Sequence, residues 1–144
     1  MTEIWEQQGL WNAYRADFAD RFATKPWAVR PSPLGFDFYY DSYIGRRALD
    51  YLAHYDRPEP WFCWVSFAGP HEPWDAPTVY DKLHLPGEAP RPIPRISGSI
   101  KGSLLEELFR SPDHSPEFAS GEISALRANY AGNVTLIDDQ GRRR

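Results

Sequence analysis

The sequence predicts an α/β protein, and three segments of its 144 residues support that prediction. Residues 61–67 form an almost unbroken apolar run, which is typical of a strand buried on both faces of a parallel sheet. Apolar residues recur at helical spacing in residues 41–55 and again in residues 122–140. A helix followed by a buried strand is half of an α/β unit. We therefore expect one or a few mostly parallel strands flanked by amphipathic helices.

The elements before the strand are helical. Residues 1–35 contain scattered aromatic side chains and one weakly helical stretch, residues 10–22, and they carry no recognisable chemistry. The stronger helix spans residues 41–55, with Asp41 expected as its N-cap and Asp-Arg-Pro at residues 56–58 ending it. Its apolar positions are Tyr40, Ile44, Ala48, Leu52 and Tyr55, with Tyr51 beside them.

The predicted strand delivers a histidine to a turn. Gly-Pro-His-Glu-Pro at residues 69–73 stops the apolar run and leaves His71 in the turn. Open α/β sheets bind their ligands outside the carboxyl ends of their strands, so His71 is the first candidate for a binding residue. Cys63 lies inside the run and is expected to be an inert, buried small hydrophobe.

The chain after this turn alternates loops and helices. Residues 78–83 are expected to form one short helix, and residues 85–102, rich in Pro, Gly and Ser, an exposed excursion. A further helix is expected at residues 103–110, followed by a loop in which Ser120 is the candidate N-cap of the next element.

The last predicted element is a helix of about five turns over residues 122–140. Its apolar stripe comprises Ile123, Leu126, Tyr130, Val134 and Ile137. A strand buried on both faces needs neighbouring strands, and the sequence offers few. The predicted sheet is therefore incomplete, which indicates a piece of a larger α/β domain.

Composition excludes several classes of function. The net charge of -4 argues against non-specific nucleic-acid binding, which needs a basic face. A single cysteine excludes an intrachain disulfide and a thiolate metal cluster. No apolar run reaches membrane-spanning length, and the first residues lack a secretory signal, so we expect no membrane partner and a cytoplasmic location by default. The basic tail at residues 141–144 is expected to be solvated.

Two ordered motifs resemble the sulfatase family, of the alkaline-phosphatase-like superfamily. The stretch Ser-Phe-Ala-Gly-Pro-His-Glu-Pro at residues 66–73 follows an aromatic-rich run and precedes acidic and proline residues and Tyr80, as in that family. The helix that ends Ile-Asp-Asp-Gln at residues 137–140 is similar to a second family segment, and the helix at residues 41–55 to a third. The resemblance spans about residues 37–140, with a variable insertion between the two motifs.

The resemblance implies an alkaline-phosphatase-like sandwich and hydrolysis of sulfate esters. In the family a cysteine of a Cys-x-Pro-x-Arg motif is oxidised to formylglycine, whose hydrate is the nucleophile. A calcium ion held by acidic and amide side chains polarises the sulfate. His71 matches the family histidine that contacts the substrate sulfate near its leaving oxygen, a position where an imidazolium can stabilise developing negative charge.

The departures from the family are as informative. Neither Cys-x-Pro-x-Arg nor Ser-x-Pro-x-Arg occurs in the sequence, and Cys63 is followed by Trp-Val-Ser. Neither half of the family's calcium site has a match. We therefore predict residues 36–140 to be an internal part of a sulfatase-like catalytic domain, with no cofactor bound and no complete catalytic set. The chain alone is predicted to be inactive, and its missing partner would be the remainder of the domain.

Two other functions stay open. A phosphoester or phosphonate hydrolase of the same superfamily would share the metal logic, and a degenerate fragment would act as a non-enzymatic interaction module with poor solubility.

Other residues that invite a functional interpretation have simpler explanations. Glu72 and Asp75 could ligate a metal with His71, but acidic residues in a proline-rich turn are more often solvated. Asp138 and Asp139 point about 100° apart on a helix, which favours a structural role over a cation site. His54, His84 and His114 are assigned no chemistry. The aromatic cluster Phe36, Phe38, Tyr39, Tyr40 and Tyr43 is expected in the core rather than in a substrate groove.

Overall fold

The computed structural model describes residues 1–91, 93 and 118–142, and its regular elements are helices. Two single 3-10 turns, Tyr80–Lys82 and Pro86–Glu88, lie between the fourth and fifth α-helices. Within the described residues the five α-helices are α1 (Thr2–Gln7), α2 (Leu10–Thr24), α3 (Gly35–Phe38), α4 (Tyr40–Ala53) and α5 (Glu122–Arg142).

The predicted α/β class is wrong for the part of the chain that the structure describes, because that part contains helices and no strand. Residues 61–67 run without regular structure, and no strand in the described part of the chain lies beside them to pair with. The apolar side chains that predicted a buried strand are on the surface: Phe62 is 85% exposed and Trp64 80% exposed. Cys63 is likewise exposed rather than buried. An apolar run forms a strand only where partner strands supply its hydrogen bonds.

The predicted helices fared better than the predicted strand. The stretches at residues 10–22, 41–55 and 122–140 are confirmed as α2, α4 and α5. The short helix expected at residues 78–83 is a single 3-10 turn, Tyr80–Lys82. The helix predicted at residues 103–110 lies outside the described residues.

The core packs aromatic side chains from residues 5–80 against Leu136 of α5. The indole Nε1 of Trp5 donates a hydrogen bond of 2.8 Å to the carbonyl of Phe38, which ties α1 to α3. Half-buried aromatic and aliphatic residues, among them Trp11, Tyr14 and Ile137, pack around the buried cluster. The cluster itself consists of Trp5, Leu34, Tyr39, Tyr40, Ala76, Tyr80 and Leu136.

Helix α5 makes its closest contacts through glycines. A Cβ added to Gly45 of α4 would lie 2.7 Å from the Cβ of Gln140, and one added to Gly132 would overlap the carbonyl oxygen of Tyr80. Only glycine allows backbones to approach this closely, so α5 sits directly on α4 and on the 3-10 turn.

The predicted apolar stripe of α5 is wrong as its buried face. Ile123, Tyr130 and Val134 are each at least 40% exposed. The helix instead buries a face of small and polar residues at helical spacing, namely Ala128, Asn129, Gly132, Asn133, Leu136 and Gln140. The periodicity therefore predicted the helix but not its orientation.

Within the described residues, no helix has both the length and the apolar character needed to cross a membrane.

Candidate functional site

The candidate site is the turn at residues 68–73, which presents His71 at the surface. The amide of His71 donates a hydrogen bond of 3.4 Å to the carbonyl of Ala68. The His71 side chain is 72% exposed, and its Nδ1 lies 3.1 Å from Oε2 of Glu72. With Nδ1 facing a carboxylate, a protonated ring keeps its Nε2–H for an external anion.

Helix α4 holds the upstream end of this turn. The carboxylate of Asp41 is fully buried, and its two oxygens accept hydrogen bonds from the amides of Ala68, at 2.8 Å, and Gly69, at 2.9 Å. Burial raises the pKa of Asp41, while the two backbone hydrogen bonds lower it. The prediction that Asp41 caps its own helix is wrong. The N-cap of α4 is Tyr39, whose side chain makes no capping hydrogen bond, and the carboxylate of Asp41 bonds to the turn instead.

Helix α2 holds the downstream end through Arg21, whose side chain is completely buried. Its Nη1 donates to the carbonyl of Ala28 at 2.7 Å and, more weakly, to that of Trp74 at 3.4 Å. Its Nη2 donates to the carbonyl of Arg30 at 2.9 Å, and its Nε to Asp17 at 2.6 Å. The guanidinium thereby links the segment after His71 to the loop that follows α2.

Asp75 lies at the centre of a buried polar cluster, which we define as Asp75, Tyr39, Tyr40 and Asn133. Its Oδ1 accepts hydrogen bonds from the hydroxyls of Tyr39, at 3.0 Å, and Tyr40, at 3.2 Å. Burial raises the pKa of Asp75 to about 6, although the hydroxyl hydrogen bonds and the charge of Arg21 oppose that shift. Burial together with the carboxylate also raises the pKa values of both tyrosines, so they remain neutral donors.

The expected solvation of Asp75 is therefore wrong, because tyrosine hydroxyls and α5 enclose it. Glu72 remains at the surface beside His71. These side chains do not converge, and the described residues contain no group of three His, Cys, Asp or Glu side chains that could hold a metal ion.

The two neighbouring carboxylates near the end of α5 also diverge. On the exposed side, Oδ2 of Asp138 lies 2.8 Å from Nε of Arg142. Oδ2 of Asp139 instead accepts a hydrogen bond of 2.8 Å from the hydroxyl of Tyr80. This arrangement agrees with the structural role expected for the pair.

The remaining histidines and one cavity lie apart from these contacts. His54 is exposed, and its Nδ1 lies 2.8 Å from the carbonyl of Asp50. The Nε2 of His84 lies 2.9 Å from Oγ1 of Thr135, and His84 lines a cavity of about 620 Å³ against α5. His114 falls outside the described residues. The cavity walls are mainly apolar and include Trp74, Leu85, Leu126 and Tyr130.

The sequence predicts His71 as a binding residue, which stays a prediction, but it does not reveal the side chains that hold the turn. Asp41 was assigned to a local cap, and Arg21 was not singled out at all. An acidic residue at a helix start and a charged residue on a weakly amphipathic helix are common surface features. Their long-range partners, 27 and 53 residues away, leave no mark in a single sequence.

Comparison with known proteins gives two relatives with informative names. The chain is 28% identical over 123 residues to a multifunctional alkaline phosphatase superfamily protein, PehA, from Trinickia caryophylli, covering 76% of this chain and 24% of the relative. It is 27% identical over 117 residues to an arylsulfatase from Clostridium perfringens, covering 79% of this chain and 24% of the relative. These matches confirm the resemblance to the sulfatase and alkaline-phosphatase-like superfamily.

The chain thus spans about a quarter of the length of these curated relatives. No protein-family model matches it, and no solved structure matches it.

Proposed function

We propose that this chain is an internal part of the catalytic domain of a sulfatase-like hydrolase of the alkaline phosphatase superfamily, and that His71 is its substrate-binding residue. The observation that carries the proposal is that the two motifs shared with the family, residues 66–73 and residues 137–140, meet in space although residues 74–136 separate them in the sequence. A Cβ added to Gly69, two residues before His71, would lie 3.3 Å from Cδ1 of Ile137 in the Ile-Asp-Asp-Gln segment.

The exposed imidazole suits a sulfate-binding role. His71 can donate from Nε2 to an oxygen of a sulfate ester while Glu72 accepts from Nδ1. A hydrogen bond to the oxygen that joins sulfur to the alcohol would stabilise the negative charge that develops as the alcohol departs. The role of His71 in this proposal is therefore to bind and orient the anion and to stabilise its leaving group.

The sequence lacks the family's nucleophile motif, and the residues that the structure describes do not fit its metal. The sequence contains no Cys-x-Pro-x-Arg motif that could yield formylglycine. Among residues 1–91, 93 and 118–142, no cluster of acidic or imidazole side chains fits a calcium ion. We therefore propose that the chain alone does not turn over sulfate esters.

Turnover is tested with 4-nitrophenyl sulfate and the purified 144-residue chain, with and without calcium. We expect no release of 4-nitrophenolate above the buffer rate. Calcium-dependent release that disappears in His71→Ala would contradict the proposed inactivity of the isolated chain.

Anion binding by His71 is tested separately, by following the imidazole proton resonances as sodium sulfate replaces sodium chloride at constant ionic strength. We expect a saturable shift for His71 that exceeds the shift of His54. His54 is the internal control, since its side chain is 79% exposed and lies outside the turn. Equal, non-saturating shifts for both histidines would count against a sulfate-binding role.

The second candidate is hydrolysis of phosphoesters or phosphonates, favoured by the name of the relative PehA, a multifunctional alkaline phosphatase superfamily protein. Sulfate and phosphate offer similar oxygens to an imidazole, so the same titration with sodium phosphate distinguishes them. A shift of His71 that saturates at lower phosphate than sulfate concentration would favour this candidate.

The non-enzymatic alternative rests on the surface of residues 61–67. Exposed Phe62 and Trp64 are typical of a surface that contacts other protein, either the remainder of a domain or another chain. Association without any saturable anion effect at His71 would favour an interaction module.

A further inference from the structure

The turn that carries His71 is fastened to α4 by one side chain, Asp41. Both carboxylate oxygens are used, one for the amide of Ala68 and one for the amide of Gly69, at 2.8 and 2.9 Å. Hydrogen bonds to an ionised acceptor are about twice as strong as those between neutral groups. The carboxylate lies in the first turn of α4, where the helix dipole favours a negative charge.

The contact is also sterically matched. A Cβ added to Gly69 would lie 2.5 Å from Oδ2 of Asp41 and 3.3 Å from Cδ1 of Ile137. Glycine is therefore the only residue that fits between the carboxylate and α5 without displacing one of them. Gly69 is therefore packed between α4 and α5, immediately before the chain turns to the surface.

The contact between Asp41 and the turn is connected to His71 by a backbone hydrogen bond. The amide of His71 bonds back to the carbonyl of Ala68, whose own amide is held by Asp41. After His71, the chain is held at the carbonyl of Trp74, which accepts from Arg21, and at the carboxylate of Asp75, which accepts from Tyr39. Asp41 is thus the upstream side-chain anchor that fixes where the imidazole leaves the protein surface.

We propose that Asp41 is the positioning residue for His71: its buried carboxylate sets the turn so that the imidazole is presented to an anionic substrate group. This inference rests on the proposed function, because the anion-binding role belongs to His71. Asp41 touches no substrate, and it acts only through the amides of Ala68 and Gly69.

The structural part of the proposal is tested by amide hydrogen exchange in Asp41→Ala and Asp41→Asn. Removing a hydrogen bond to a charged acceptor speeds exchange at its donors by roughly tenfold to a hundredfold. We expect that acceleration at Ala68 and Gly69 in Asp41→Ala, a smaller one in Asp41→Asn, and none at Leu136. Asp50→Asn is the matched control, an exposed carboxylate on the same helix. Unchanged exchange at Ala68 and Gly69 in Asp41→Ala would overturn the proposal.

If Asp41→Ala also accelerates exchange at Leu136, the fold as a whole has loosened, and Gly69→Ala then decides. This variant keeps the Asp41 side chain, but its added methyl would lie 2.5 Å from Oδ2 and therefore forces the turn and the carboxylate apart. We expect Gly69→Ala to shift the amide resonance of His71 and to leave that of Leu136 unchanged. An unshifted His71 amide would overturn the positioning role.

The functional part is read from the sulfate titration of the His71 imidazole. In both Asp41 variants we expect the sulfate-induced shift of His71 to fall to the size seen for His54, and in Asp50→Asn to equal that of the parent. A full-sized shift in Asp41→Ala would overturn the inference. Absence of a shift in the parent chain would instead count against the proposed function, and the exchange data would still judge whether Asp41 holds the turn.

Discussion

Residues 61–67 and the inner face of α5 reverse the usual distribution of side chains. The first segment is almost wholly apolar, yet Phe62 and Trp64 lie in solvent. The second carries Asn129, Asn133 and Gln140, each at most 2% exposed. In a typical domain these positions would be exchanged, because apolar burial drives folding and buried polar groups need partners.

The two surfaces differ in the neighbouring groups that each one contacts. The inner face of α5 meets polar groups of other segments: the hydroxyl of Tyr39 lies 3.2 Å from Oδ1 of Asn133, and the amide of Ala76 lies 3.4 Å from Oδ1 of Asn129. Residues 61–67 meet few groups beyond the ring of Tyr55, which lies 5.1 Å from that of Trp61. On α5, Asn133 is thus buried with a hydrogen-bond partner for each of its amide atoms, whereas residues 61–67 are exposed and make few contacts with the described part of the chain.

The largest expected effect on the free energy of unfolding comes from removing the buried guanidinium of Arg21. Arg21→Met keeps the length of the side chain but leaves the carbonyls of Ala28 and Arg30 without their donor. Breaking a buried ionic network costs about 3–5 kcal/mol. We expect the free energy of unfolding in urea to fall by that amount.

The matched control is Arg15→Met on the same helix. Arg15 is exposed, and its guanidinium lies 5.7 Å from the ring centroid of Trp11, a contact worth about 1 kcal/mol or less. Equal losses in the two variants would show that the buried network does not stabilise the fold, which would break the contrast between interior and surface.

The second effect is a dependence of stability on pH. Burial raises the pKa of Asp75 from 3.8 to about 6 in the folded chain. The folded state then binds more protons at Asp75 than the unfolded state between these values, so the stability contributed by Asp75 is complete below about pH 4 and is lost as the pH rises to about 6. The change attributable to Asp75 is about 3 kcal/mol.

This dependence is measured by urea unfolding at pH 4, 5, 6 and 7. Asp75→Asn keeps an oxygen acceptor for Tyr39 and Tyr40 but cannot ionise, so we expect most of the slope to disappear. A smaller slope of the same sign remains from Asp41, whose pKa burial also raises. A slope that is unchanged in Asp75→Asn would show that the buried cluster does not titrate in this range.

The comparison also explains how far the sequence could predict this molecule. Helical periodicity sufficed for α4 and α5, because local spacing encodes a helix, and the motif order sufficed for the superfamily resemblance, whereas the role of His71 stays a prediction. They failed for residues 61–67, since an apolar run records that a segment can be buried and not whether the chain supplies its neighbours. They failed again for the buried face of α5 and for Asp75, whose partners are tyrosine hydroxyls on α4 and at its N-cap.

The smallest expected effect on stability belongs to the exposed segment, and it sharpens the comparison most. In the double variant Phe62→Ser with Trp64→Ser, we expect the free energy of unfolding to change by no more than about 0.5 kcal/mol, since exposed side chains far from packed contacts contribute little. Leu136→Ala is the core control, and its expected cost is about 2–5 kcal/mol. Light scattering should show weaker concentration-dependent association in the double variant, because a contiguous apolar patch has been removed. A loss of stability as large as that of Leu136→Ala would mean that residues 61–67 are packed in solution, and that the polar face of α5 is not the chain's principal interior.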